Sequence, residues 1–250
     1  MNKKIKGFVL LVFAVTILVF PLPLENTSAT AIQGNQVIDG WVKKEGDWYY
    51  YTNGRYATDW KEINTKWYYF NEKGIMQTGW IFDKGKWYYL DSSGYMKTGW
   101  VHSGNRWYYL NSSGAMLTAW ILDKNKWYLL SGNGAMKTGW AQDNGKWYYL
   151  DSTGGMKTGW IYDAGYWYYL NSKGAMQTGW LKDGGKWYFL NFNGTMLTGW
   201  VQHMNEWYYL YNNGVMAANT TIGGYVLRSD GAWDKSNEIT KKIKSIVDSY

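Results

Sequence analysis

Short apolar runs and short polar breaks alternate along most of this chain, and the alternation itself repeats. Written from Gly79, one unit reads G-W-I-F-D-K-G-K-W-Y-Y-L-D-S-S-G-Y-M-K-T. Trp80-Ile81-Phe82 and Lys86-Trp87-Tyr88-Tyr89-Leu90 are aromatic and β-branched stretches separated by Asp83-Lys84-Gly85, the pattern of a hairpin. Equivalent breaks carry Asn144-Gly145 and Gly184-Gly185, pairs that tolerate the positive φ of a tight turn. Asp91-Ser92-Ser93-Gly94 is a second reversal, with Gly recurring at 114, 134, 154, 174, 194 and 214. Side chains alternate across a strand, so Trp87 and Tyr89 share one face while Tyr88 and Leu90 share the other. Both faces are apolar and both must be covered.

The period supplies the cover. Trp60, Trp80, Trp100, Trp120, Trp140, Trp160, Trp180 and Trp200 are spaced by 20 residues, and each is followed seven positions later by a second tryptophan, Trp67 to Trp207. A shorter copy opens the array at Trp41 and Trp48, so the units account for eighteen of the nineteen tryptophans. Repeats of this size bury their faces by stacking on their neighbours. The predicted fold is all-β, a β-hairpin solenoid with a short C-terminal helix. Stacking sets the face bearing Trp87 against the next hairpin's Tyr108, with Met96 between them. The methionine recurs as Met76, Met116, Met136, Met156, Met176 and Met196, an adaptable thioether suited to the floor of an aromatic cleft. After Met216 the pattern decays, leaving Tyr225 and Trp233 as the large aromatics of a terminal cap. Ile239, Ile243, Ile246 and Val247 then fall at helical spacing. That helix closes the array or, alternatively, forms a homodimer contact.

Composition narrows the function. Aromatic residues make up 20% of the chain, supplied mainly by Trp and Tyr, whose rings carry polar handles suited to half-exposed surfaces. Cysteine is absent, which excludes a disulfide framework, a thiolate nucleophile and a lipid-bearing cysteine. Residues 1–31 read as a secretory signal peptide: Lys3, Lys4 and Lys6, an apolar run from Phe8 to Phe20, and Ala29-Thr30-Ala31. The remainder divides into a repeat domain over 32–233 and a helical tail over 234–250, with no membrane span expected in the mature chain. It carries 23 basic and 18 acidic residues, dispersed among the units and forming no nucleic-acid stripe. His102 and His203 stand at hairpin-turn positions in separate units, so no dyad or metal pair is expected. Asp83, Asp123, Asp143, Asp163 and Asp183 are one turn residue repeated, where Asp suits local backbone bonding. No catalytic residue, metal ligand or cofactor site is expected, and the chain reads as a binding protein.

The tandem G-W, W-Y-Y-L and G-x-M-x-T-G-W motifs over residues 40–216, with a weaker final copy to about 233, resemble the choline-binding, or cell-wall-binding, repeats of Gram-positive bacteria and their phages. The resemblance implies a hairpin solenoid that holds choline between consecutive hairpins, using two tryptophans of one repeat and an aromatic residue of the next. By position, the first sites are Trp41, Trp48 and Tyr68, then Trp60, Trp67 and Tyr88, then Trp80, Trp87 and Tyr108. Trp100, Trp107 and Tyr128 follow, and after them Trp120, Trp127 and Tyr148. The last three are Trp140, Trp147 and Tyr168; Trp160, Trp167 and Tyr188; and Trp180, Trp187 and Tyr208. The implied partner is choline-bearing teichoic or lipoteichoic acid, and the implied location is secreted, at the cell wall or cell surface. Glucan-binding and clostridial-toxin repeats, of similar period, are the alternative, as is a surface adhesin or scaffold. The second tryptophan separates them, because toxin-like repeats resemble K-Y-Y-F at that place.

Overall fold

The computed structural model describes residues 38–236 and Val247. The expected signal peptide, and the expected C-terminal helix apart from Ser236 and Val247, lie outside the described residues. What is described is all-β, as expected. It falls into two compact units, one ending at Leu117 and the other starting at Thr118.

Each repeat is one antiparallel hairpin. Strand Gly139–Asp143 pairs with Lys146–Leu150, and the same two five-residue strands recur in every full unit from Asp59–Ile63 with Lys66–Phe70 to Gly199–His203 with Glu206–Leu210. The opening hairpin, Gly40–Lys44 with Asp47–Thr52, gains a third short strand at Arg55–Tyr56. Two residues close each turn, and both have positive φ: Asn144 and Gly145 at 46° and 74°, Lys84 and Gly85 at 47° and 79°. This is the mirror-image turn whose twist matches paired strands. Lys84, Ala164 and Met204 adopt it without the help of Gly or Asn, so the hairpin outweighs their local preference.

Hairpins are joined by a tight reversal organised by one side chain. The Asp151 carboxylate accepts from the Thr153 and Gly155 amides at 2.9 and 3.0 Å, while the Gly154 amide donates to the Asp151 carbonyl at 2.8 Å. Asn71, Asp91, Asn111, Asn171 and Asn191 hold the two corresponding amides in the same way. Gly154, at φ 84°, has no room for a side chain because the sulfur of Met136, from the preceding repeat, lies where its Cβ would be. Met76, Met96, Met156, Met176, Met196 and Met216 key one reversal to the next in the same way. In the first repeat the Tyr56 ring does the same beneath Gly74.

The core of each unit is built mainly from leucines. Phe70, Leu90, Leu110, Leu130, Leu150, Leu170, Leu190, Leu210 and Leu227 are fully buried, one in each hairpin after the opening one. Leu150 packs with Leu129 and Ala141, and Trp120, Tyr148 and Met156 close around them. The tryptophans are not this core. From Trp67 to Trp187 the second-strand tryptophan of each repeat is 40–46% exposed.

Candidate aromatic site

Strand register decides which rings meet. Trp140 lies opposite Tyr149 and Gln142 opposite Trp147, so Trp140, Trp147 and Tyr149 share the face away from Leu150. The opposite face of the following hairpin supplies Tyr168. Its ring centroid is 4.8 Å from that of Trp140, at an interplanar angle of 64°.

The same contact recurs at 4.8 Å for Trp41–Tyr68, Trp60–Tyr88, Trp80–Tyr108, Trp120–Tyr148, Trp160–Tyr188 and Trp180–Tyr208. Trp100 and Trp107 stand 6.5 Å apart in the first unit, and Tyr128 belongs to the second. The first tyrosine of W-Y-Y therefore reaches the preceding repeat. The second turns back on its own: Tyr89 lies 5.1 Å from Trp80 and Tyr149 5.2 Å from Trp140. The paired tryptophans stand nearly at right angles, at 83° for Trp80 with Trp87, 81° for Trp160 with Trp167 and 89° for Trp180 with Trp187. Three mutually inclined rings make the corner of a box, with the second-strand tryptophan as its half-open wall.

Methionine is placed more intricately than simple interpolation gave. The Met96 amide donates to the Trp67 carbonyl at 2.9 Å, one junction earlier than Trp87 and Tyr108, while its sulfur reaches forward to Gly114. Met116 is the residue whose amide bonds to Trp87, at 2.8 Å. Met76, Met156, Met176 and Met196 repeat the pattern on Trp48, Trp127, Trp147 and Trp167.

The repeated aspartate ends a strand rather than standing in the turn, and its bond to the preceding repeat is what the sequence reading missed. Indole Nε1 of Trp140 donates to Asp163 of the next hairpin at 3.0 Å, and the Tyr149 hydroxyl donates to the same carboxylate at 3.1 Å. Trp60 with Asp83, Trp120 with Asp143 and Trp160 with Asp183 match it, and Ser103 takes the place for Trp80. The available signal was the spacing of 23 residues from Trp to Asp in each of these pairs. The bond fixes the first tryptophan, and the carboxylate polarises its ring toward greater electron density. The histidines also move: His102 and His203 are strand residues rather than turn residues. His102 packs at 5.0 Å on Trp107, and His203 sits 5.1 Å from Phe189. Among the described residues no cluster of three or more His, Cys, Asp or Glu side chains could hold a metal ion.

Burial, then the Asp163 hydrogen bond, pushes the Tyr149 phenol up; burial, then the Asp183 charge, does the same for Tyr169. The folded chain therefore holds these protons more tightly than the unfolded chain, whose phenols ionise near ~10. Stability from this source is complete below that value and lost as pH rises through the higher folded value. Thermal midpoints are expected to hold level from neutral pH to about 10 and to fall above it. A midpoint unchanged at pH 12 would contradict the shared Tyr–Asp–Trp network.

The choline-binding repeat profile matches residues 57–98, 97–138, 137–178, 157–193 and 177–220. The chain belongs to the choline-binding repeat family. None of the curated proteins matches it. Among solved structures, CbpJ from Streptococcus pneumoniae is 31% identical over 78% of this chain and 99% of its own, with a TM-score of 0.64. Choline binding protein F from the same organism is 35% identical over 78% of this chain and 92% of its own, with a TM-score of 0.60. The modular autolysin LytC, also pneumococcal, is 31% identical over the same share of this chain with a TM-score of 0.60, but only 46% of LytC is covered. In the choline-binding repeat family the matched hairpins are binding modules, and the ring triplets are their recurrent feature here.

Proposed function

We propose that this protein attaches noncovalently to a bacterial cell surface by holding choline groups of teichoic or lipoteichoic acid in the boxes between consecutive hairpins. The observation that carries the reading is the near-perpendicular pairing of a half-exposed tryptophan with the first tryptophan of its repeat, against which the next hairpin's tyrosine packs at 4.8 Å. A trimethylammonium group is a rounded cation that gains from several π faces at once. A pyranose stacks on one face at a time and gains nothing from a second ring set at a right angle to it. Each box uses two tryptophans of one repeat and the first tyrosine of the next, as in Trp140, Trp147 and Tyr168. The methionines pack alongside.

The chain's own cations support the polarity of these faces. Lys43 Nζ and Lys182 Nζ each stand 5.6 Å over the ring of their cross-strand tryptophans, Trp48 and Trp187. Exposed cation–π contacts are worth about 0.5–1 kcal/mol, so lysine competes with choline only weakly there.

In cells, free choline at high concentration is expected to elute the bound protein. If choline leaves it in place and only detergent or a muralytic enzyme releases it, attachment through choline is wrong. The choline binding protein F structure determined with a peptidoglycan analogue makes a glycan contact the competing outcome of that experiment. No helix among the described residues is long and apolar enough to cross a membrane.

A further inference from the structure

The repeat match stops at residue 220, yet ring packing continues past it. Thr220–Ile222 and Tyr225–Leu227 form a shortened hairpin closed by Gly223 and Gly224. From Trp60 to Trp180 each junction brings a tyrosine 28 positions after the first tryptophan; here the hairpin is shorter and Tyr225 arrives at 25. Its ring lies 5.3 Å from Trp200 at 78°. At Trp48, Trp67, Trp87, Trp127, Trp147, Trp167 and Trp187 a methionine amide donates to the carbonyl of the second tryptophan; here the Trp233 amide donates to the Trp207 carbonyl at 2.8 Å. The Trp233 ring stands 5.2 Å from Tyr225 at 88°. The tyrosine is thus retained and the methionine is exchanged for a fourth π system.

Electrostatics differ too. The residue before the second tryptophan is basic in most hairpins, as in Lys86, Arg106, Lys126, Lys146 and Lys186, but here it is Glu206. Lys235 Nζ donates to the Asn205 carbonyl at 2.9 Å and lies 3.7 Å from Glu206 Oε2. That contact ties the segment bearing Trp233 to the hairpin bearing Trp207. It also puts an acidic residue, paired with Lys235, where most other repeats carry a basic one.

We propose that Trp200, Trp207, Tyr225 and Trp233 form an additional alkylammonium site beyond the matched repeats, with Lys235 and Glu206 as positioning residues that latch its Trp233 wall. The terminal segment is a site wall as well as a cap. Trp200 is 36% and Tyr225 40% exposed, so neither ring is closed off from a ligand. The inference rests on the choline reading of the repeated boxes.

The test is ¹⁹F NMR of the full chain labelled with 5-fluorotryptophan, assigned by single Trp→Phe substitutions and titrated with choline chloride. Saturable shifts are expected for Trp207 and Trp233 as well as for Trp147. Lys235→Ala and, separately, Tyr225→Leu should weaken the Trp207 titration several-fold and leave that of Trp147 unchanged. The wild-type titration stands even if a variant misfolds. Movement of Trp147 with Trp207 and Trp233 still would overturn this site alone. Stillness of all three would overturn the choline reading and this site with it.

Discussion

Leu150→Ala is expected to destabilise the second unit by about 2–5 kcal/mol, more than loss of any single ring in a box. Leu150 is fully buried and packs on Leu129, from the preceding hairpin, as well as on Ala141 of its own. Truncation therefore opens a cavity at the seam where two repeats hold each other. In a repeat array stability is a sum of unit and neighbour terms, so the damage should be local. Urea unfolding without choline, followed by tryptophan fluorescence, and amide exchange around residues 119–170 would show it. A cost below about 1 kcal/mol would mean that the leucines are not the core. Choline must be absent, because a ligand of the folded form raises apparent stability by mass action.

Combined substitution of Trp127, Trp147, Trp167 and Trp187 by alanine is expected to lower retention on choline-bearing walls by roughly 10²–10⁴-fold, with each remaining box keeping its affinity for free choline. One box is weak. Rings worth ~0.5–2 kcal/mol each give an affinity near the millimolar range. Tandem boxes on one polymer bind at high effective concentration, so removing several costs far more than removing one. These four positions suit the experiment because each ring is 40–44% exposed. Their truncation should cost well under the ~3–5 kcal/mol of a core tryptophan. Equal retention by the quadruple variant and the wild type would contradict multivalent attachment.

The hairpins and the grouping of rings were legible in the sequence because period 2 within strands and period 20 between them fix which side chains share a face. Asn144-Gly145 announced its turn; Lys84 and Met204 could not, because the paired strands impose a conformation those residues disfavour. Alternation within the second strand already picked Tyr168 over Tyr169 as the ring facing the preceding repeat. Asp163 was read as a turn residue since Asp is favoured there for local reasons, and nothing local indicates a bond to Trp140. Only the repeat of that spacing could have done so. Trp233 escaped because the final hairpin is shorter, which moves its residues off the period.

Equilibrium dialysis of the full chain against labelled choline, run beside labelled dextran, tests the central claim most directly. Boxes between consecutive hairpins predict several choline molecules bound per chain, each in roughly the millimolar range, and no retained dextran. Retained dextran with no bound choline would contradict the account and assign the tryptophan faces to carbohydrate.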